Sequence, residues 1–288
     1  MRTRILALVA AVFAQWFHGA LHAGELPDYM RFREDANSAR LEIAIRSFSM
    51  PSGQRVDLMG VAHIADDAYY QELNRRFDAY DSVLFELVGD PEALTAPGAH
   101  AKSDSAVSTI QQAAGQYLGL TFQLDAIDYT RKNMVHADAT ADEFERMQKE
   151  RGETMLTLFT RAMEVQMAAQ MSGNVDPTSM SGLDTFGLIR ILMSRDSAAQ
   201  FKKVLAKSFA QMETLTAAME GKDGSAILSG RNSVVGRKIK EVLASKKQRR
   251  IAVFYGAAHM PGIETLLVKD MQAKAMGEEW LAAWTMPK

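Results

Sequence analysis

The sequence has no cysteine. That excludes disulfides, thiolate metal ligands, a cysteine nucleophile and a lipid-modified N-terminal cysteine. It also lacks a surplus of either charge: 33 Lys and Arg stand against 35 Asp and Glu, a formal net charge of -2. No basic field exists to draw in a phosphate backbone, so nucleic acid is not an expected partner. The basic runs Phe201–Lys207 and Lys246–Arg250 read as solvated helix faces and ends. Beyond the N-terminal segment, no run is long and apolar enough to cross a bilayer. G-x-S-x-G, H-E-x-x-H and P-loop patterns are missing as well. Any metal must therefore be held by His, Asp, Glu or Asn, a nitrogen and oxygen set suited to Mn, Co, Zn or Fe.

What is present describes one globular domain. The 288 residues are 47% hydrophobic and 24% charged, enough for a core that needs no covalent staples. Arg2 and Arg4 precede the short apolar run Ile5–Phe17, and Leu21-His22-Ala23 offers a small-residue cleavage site. Residues 1–23 read as a signal peptide, so the expectation is an exported protein, periplasmic or secreted, with a single domain over 24–288.

Periodicity then divides the chain. Leu41, Ile43 and Ile45 alternate with polar residues, Pro51–Gln54 is a turn, and Arg55–Ile64 is a buried strand. Tyr70, Leu73, Phe77 and Tyr80 recur at helical spacing, and Asp81–Val88 is a short apolar strand. Strand, helix and strand in this order predict a βαβ unit with parallel strands. Residues 89–108 read as a loop, Ile110–Leu120 as a helix and Thr121–Tyr129 as a strand. Thr140 to Glu143 is a capping box that starts a long helical segment, about 140–247. Arg250–His259 returns to strand character, and Gly262–Met276 is expected to be a final helix. The fold class is α/β: a mixed or parallel sheet with flanking helices and a long helical insertion before the last core strand.

Two motifs carry chemistry. Gly60-Val61-Ala62-His63 and Gly256-Ala257-Ala258-His259 share the pattern G-x-A-H, each after an apolar run and before a predicted helix. That is the carboxyl end of a strand, where open α/β sheets bind ligands. Each glycine permits close approach of a neighbour or ligand, and each alanine leaves room at the mouth. Glu86 lies in the core-like run Val83–Leu87, where a carboxylate needs a partner or a cation. If its strand lies beside that of His63, then His63, Glu86 and His259 form a set suited to a divalent metal with an open position. Arg231 stands one turn before Val235 on the apolar face of an amphipathic helix. It either anchors a carboxylate or oxyanion of the substrate, or forms a salt bridge, with Glu86 as a partner. Asn232 beside it is placed to cap or to hydrogen-bond a ligand. His136 and Asp138 are reserve candidates, and Asp66 and Asp67 read as the cap of the following helix. The methionines are scattered at core-like spacing, which fits packing rather than copper binding.

The paired G-x-x-H motifs, the glutamate of Asp81–Val88 and the Arg231-Asn232 pair resemble the TraB/PrgY/GumN superfamily, which includes the animal TIKI proteins. The resemblance runs from about Leu41 to Leu267. It implies an α/β fold related to erythromycin esterases and ChaN-type haem-binding proteins. By position it implies His63, Glu86 and His259 as metal-binding or catalytic residues, with Arg231 and Asn232 in support. The expected function is an exported metal-dependent hydrolase, a peptidase that uses Mn, Co or Zn, with a peptide or small-molecule substrate. The alternatives are a haem- or peptide-binding protein, with Tyr255 as a haem ligand, and a metal-free ester hydrolase.

Overall fold

A computed structural model describes residues 28–92, 118–154, 196–220 and 224–287, with 157, 160, 161 and 164. The expected signal peptide, most of the loop expected over 89–108 and of the helix expected over 110–120, and the middle of the helical segment lie outside these residues. The first strands are β1 (Met30–Glu34), β2 (Ser38–Ser49), β3 (Arg55–Val61) and the two-residue β4 (Ile64–Ala65). Helix α1 (Asp67–Phe77) leads to β5 (Ser82–Phe85). After β6 (Thr121–Phe122) come the single turn α2 (Gln123–Ala126), β7 (Met134–His136) and α3 (Ala141–Glu150). Helices α4 (Ser197–Met219) and α5 (Arg231–Ala244) precede β8 (Arg250–Gly256), α6 (Met260–Thr265) and β9 (Lys274–Pro287).

One mixed seven-stranded sheet organises the chain, in the order β1-β2-β3-β8-β5-β7, with β9 along β2. The pairs β3–β8, β8–β5 and β5–β7 are parallel. Those of β2 with β1, β3 and β9 are antiparallel. Helices flank the sheet, as the α/β reading expects. The parallel strands β3, β5 and β8 are buried nearly throughout, as strands covered on both faces must be, and β7 at the edge is half-buried. Tyr69, Tyr70, Leu73 and Phe77 of α1 are buried, and Phe77 meets Phe254 edge-on at 5.1 Å between ring centres. Val235 and Ile239 of α5 are fully buried, as the amphipathic reading requires.

The sequence reading needs four local corrections. First, β5 does not lie beside β3, because β8 enters between them. The βαβ crossover through α1 leaves a gap that a strand from late in the chain fills. Second, only Thr121 and Phe122 of the stretch to Tyr129 are extended before the chain turns helical at Gln123. Third, the final helix stops early. It widens over Leu266–Asp270, Gln272 takes a positive φ of 56°, and the chain enters β9. Lys274–Met276 has a helical composition, but pairing with the long β2 overrides it. Fourth, Asp66 occupies the N-cap of α1 without capping it through its side chain. Its carboxylate instead takes Lys202 of α4 and the N–H of Thr285 at 2.7 Å.

The capping box at Thr140 is present, with Thr140 Oγ1 accepting from Glu143 N at 3.2 Å and Glu143 Oε2 from Thr140 N at 2.9 Å. Helix α4 rests on β1, β2 and β9, with Phe209 edge-on to Trp284 at 5.4 Å. This part of the helical segment forms a wall against the sheet.

Candidate functional site

Four neighbouring parallel strands deliver the site. His63 lies two residues past the end of β3, His259 three past β8, Glu86 one past β5 and Asp138 two past β7. Register fixes their level: Val61 pairs with Gly256, and Phe85 pairs with both Phe254 and His136. The side chains leave the sheet at its carboxyl edge, the place the motif reading expects.

The loop bearing His63 has its carbonyls accounted for one by one. Tyr69 Oη donates to Gly60 O at 3.0 Å and Tyr70 Oη to Ala62 O at 2.7 Å. Gln123 N donates to His63 O at 2.8 Å, and Trp284 Nε1 to Ile64 O at 2.7 Å. Buried backbone acceptors must be met, and here each partner also holds the loop. The imidazole itself is exposed to solvent, with Nδ1 2.8 Å from Gln123 Oε1.

The two motif glycines differ in purpose. A Cβ on Gly60 would stand 2.9 Å from Ile43 Cγ2 and 3.3 Å from Ala44 O, so this glycine serves packing. It does not line the mouth of the site. A Cβ on Gly256 would stand 3.1 Å from Glu86 Oε2 and 3.3 Å from His63 Nε2. Gly256 therefore forms a bare shelf between the glutamate and the first histidine. Its N–H donates to Glu86 Oε2 at 2.5 Å.

Arg231 occupies the centre of the buried half. Nε donates to Asp138 Oδ1 at 2.9 Å, and Nη2 donates to both Asp138 Oδ2 and Glu86 Oε1. Nη1 is 3.2 Å from His259 Nε2. An arginine only donates, so a neutral His259 accepts through Nε2; a protonated one turns the same nitrogen to Glu86 Oε1 at 3.4 Å. On the other side of that ring, Nδ1 is 2.8 Å from Asn232 Oδ1, while Asn232 Nδ2 faces the His259 carbonyl at 3.4 Å. Side-chain exposure is 0% for Asp138, 5% for His259, 9% for Glu86 and 10% for Arg231, so the cluster is shielded from water. Burial alone would raise the Glu86 carboxyl, but the His259 contact and the positive charge of Arg231 outweigh it and hold the group well below the usual carboxylate range. Burial likewise opposes the Arg231 charge, and Asp138 and Glu86 more than restore it.

His63, Glu86, Arg231, Asn232, His259 and Asp138 thus stand together. Of the two readings left open for Arg231, the geometry gives the salt bridge, with Asp138 as an additional partner. Asn232 serves His259 instead of facing a ligand. His136 stands apart: its Nε2 donates to Leu87 O at 2.7 Å and its ring lies against Phe85. Tyr255 Oη donates to Ala137 O at 2.7 Å and is fully buried. It is committed there rather than to the cleft. Sequence reasoning missed Gln123, whose side chain reaches His63 across a bend that no periodicity announces. It also missed Tyr129, which holds Gln123 from the far side at 2.9 Å.

The donor set bears on the expected metal. His63 Nε2 and Glu86 Oε2 both border the space above Gly256. His259 Nε2 is turned to the guanidinium, 3.4 Å from Glu86 Oε1. Among the described residues no three His, Asp or Glu side chains form a ready metal site. A three-ligand set therefore does not fit while Arg231 holds His259.

Comparisons with protein-family models, with curated proteins and with solved structures give no match to this chain.

Proposed function

We propose that this chain is an exported hydrolase that adds water to an acyl bond in a peptide or a small-molecule substrate. One observation carries the reading. The exposed His63 presents Nε2 across the Gly256 shelf from Glu86, an ionised carboxylate buried at the carboxyl edge of the sheet. A water on that shelf lies within reach of both groups. His63 Nε2 takes a proton as the water attacks the carbonyl, and returns it to the leaving group. Glu86 stabilises the imidazolium that forms. Arg231, held by Asp138 and His259, keeps Glu86 ionised through the cycle.

A second reading adds a divalent metal. Both imidazoles are tied through Nδ1 to a side-chain amide, the arrangement that orients metal-ligating histidines. His63 and Glu86 would hold the ion, which when bound supplies a more acidic water and polarises the scissile carbonyl.

The test is turnover of a peptide library and a panel of aryl esters by the purified chain, with chelator and with added Mn, Co or Zn. Turnover that survives the chelator and is lost in His63→Ala supports the first reading. Turnover that requires metal supports the second. Absence of turnover under every condition, with a Soret band on haem titration, overturns both in favour of a binding protein.

A further inference from the structure

We infer that Gln123 is a dedicated positioning residue that fixes the tautomer and orientation of His63, with Asn232 doing the same for His259. The inference deepens the hydrolase reading, since it rests on His63 as the group that takes the proton.

Gln123 grips His63 twice. Its backbone N–H donates to the His63 carbonyl at 2.8 Å, and its side-chain Oε1 meets Nδ1 at 2.8 Å. A small separate sheet holds it in place: β4 pairs with β6, Ile64 with Phe122 and Ala65 with Thr121. The residue after His63 and the residue before Gln123 are thus direct partners. The two strands have two residues each, too short to add much to the core. Their evident effect is to bring Gln123 to His63.

The chemistry of the amide settles the proton. Gln123 Nε2 donates to Tyr129 Oη at 2.9 Å, so Oε1 is the end that faces His63. An amide oxygen only accepts, so His63 Nδ1 carries the hydrogen and Nε2 keeps its lone pair. Tyr129 is locked in turn, 6% exposed with its ring 5.1 Å from that of Phe85. Burial pushes its hydroxyl up to about 12, so it stays neutral. Gln123 is itself only 4% exposed. A turned amide would offer Nε2 to His63 and Oε1 to the Tyr129 hydroxyl and so select the other tautomer; the amide stands with Oε1 on His63, and that placement selects Nδ1–H.

His259 repeats the device on an unrelated backbone. Asn232 Oδ1 takes Nδ1 at 2.8 Å and Nδ2 faces the His259 carbonyl. Gly262 makes room for this amide: a Cβ there would lie 2.3 Å from Asn232 Nδ2. In both places an amide oxygen takes Nδ1–H and leaves Nε2 to face the site: that of His63 over the Gly256 shelf, that of His259 beside Arg231.

Nitrogen-15 NMR of the histidine side chains tests this directly, with His63→Gln identifying the signals of His63. In the unaltered chain His63 should be the Nδ1–H tautomer. Gln123→Leu should convert it largely to Nε2–H, the form favoured by an imidazole free in water. Gln123→Glu keeps an acceptor and should preserve Nδ1–H. If Gln123→Leu does not fold, Tyr129→Phe still decides, because it releases the amide to turn and should populate Nε2–H. On any substrate that is turned over, Gln123→Leu should lower kcat about 10–100-fold with KM unchanged, and Gln123→Glu should recover most of the loss. An unchanged His63 tautomer in a folded Gln123→Leu or Tyr129→Phe chain overturns the inference, whatever the activity. A switched tautomer in a chain with no hydrolysis under any condition upholds the positioning and sinks the hydrolase reading alone.

Discussion

Replacing Arg231 with methionine removes the cation shared by two carboxylates and an imidazole, while keeping most of the side-chain volume. Asp138 is fully buried and loses two charge-assisted hydrogen bonds; Glu86, 9% exposed, loses one. Stripping one partner from a buried ion pair costs about 3–5 kcal/mol, mostly from the charge left behind. At roughly 2–4 °C per kcal/mol for a chain of this order of size, the melting temperature should fall by about 10 °C. The pH dependence is the sharper signature. In the unaltered chain the Glu86 carboxyl is depressed by His259 and Arg231 against the raising effect of burial. Its contribution is therefore complete above the unfolded carboxylate range and is lost as pH falls below it. In Arg231→Met burial is opposed by His259 without the guanidinium, so the folded pKa rises towards the unfolded value. The penalty is then largest at neutral pH and shrinks on acidification. Urea unfolding at pH 7 and at about pH 4, within the carboxylate range, measures both chains: the gap should exceed about 3 kcal/mol at pH 7 and narrow at the lower pH. A deficit under about 1 kcal/mol, or one that does not change with pH, would refute the account of a buried charge cluster centred on Arg231.

Three further outcomes follow from the same geometry. Gly256 has φ -49° and ψ 136°, which alanine adopts freely, so Gly256→Ala should change stability by less than about 1 kcal/mol. Its methyl would crowd Glu86 Oε2 and His63 Nε2, so turnover should drop about 100-fold; thermal melts and kinetics on one preparation separate the two. Gly262→Ala would drive its Cβ into Asn232 Nδ2, costing about 1–3 kcal/mol in denaturant unfolding as the buried amide loses its partners. Thr140→Ala breaks only the capping box of α3, so it should lower stability by about 1 kcal/mol and leave kcat unchanged.

Much of the framework could be read from one dimension because it follows local rules. The β2–β3 hairpin, α1, the Thr140 cap and the stripe Arg231-Val235-Ile239 follow from periodicity and turn chemistry, which act over a few residues. The two G-x-A-H motifs sit at strand ends, because apolar runs closed by glycine leave the sheet there. Glu86 announced its need for a partner by lying in an apolar run. Strand order could not be read this way. Nothing near residue 86 reveals that a strand from residue 250 enters beside it, because that choice is made by packing across the whole sheet. Nor could β9, whose helix-like start is extended by pairing with β2. The sequence by itself determined which residues carry charge, lone pairs and bare backbone, and at which strand ends they emerge. Tertiary structure alone decided who faces whom: Arg231 between Asp138 and Glu86, Gly256 between Glu86 and His63, and Gln123 on His63. Hydrogen bonds of about 3 Å depend on side chains brought together across 60 to 145 residues, and only the folded chain fixes such distances.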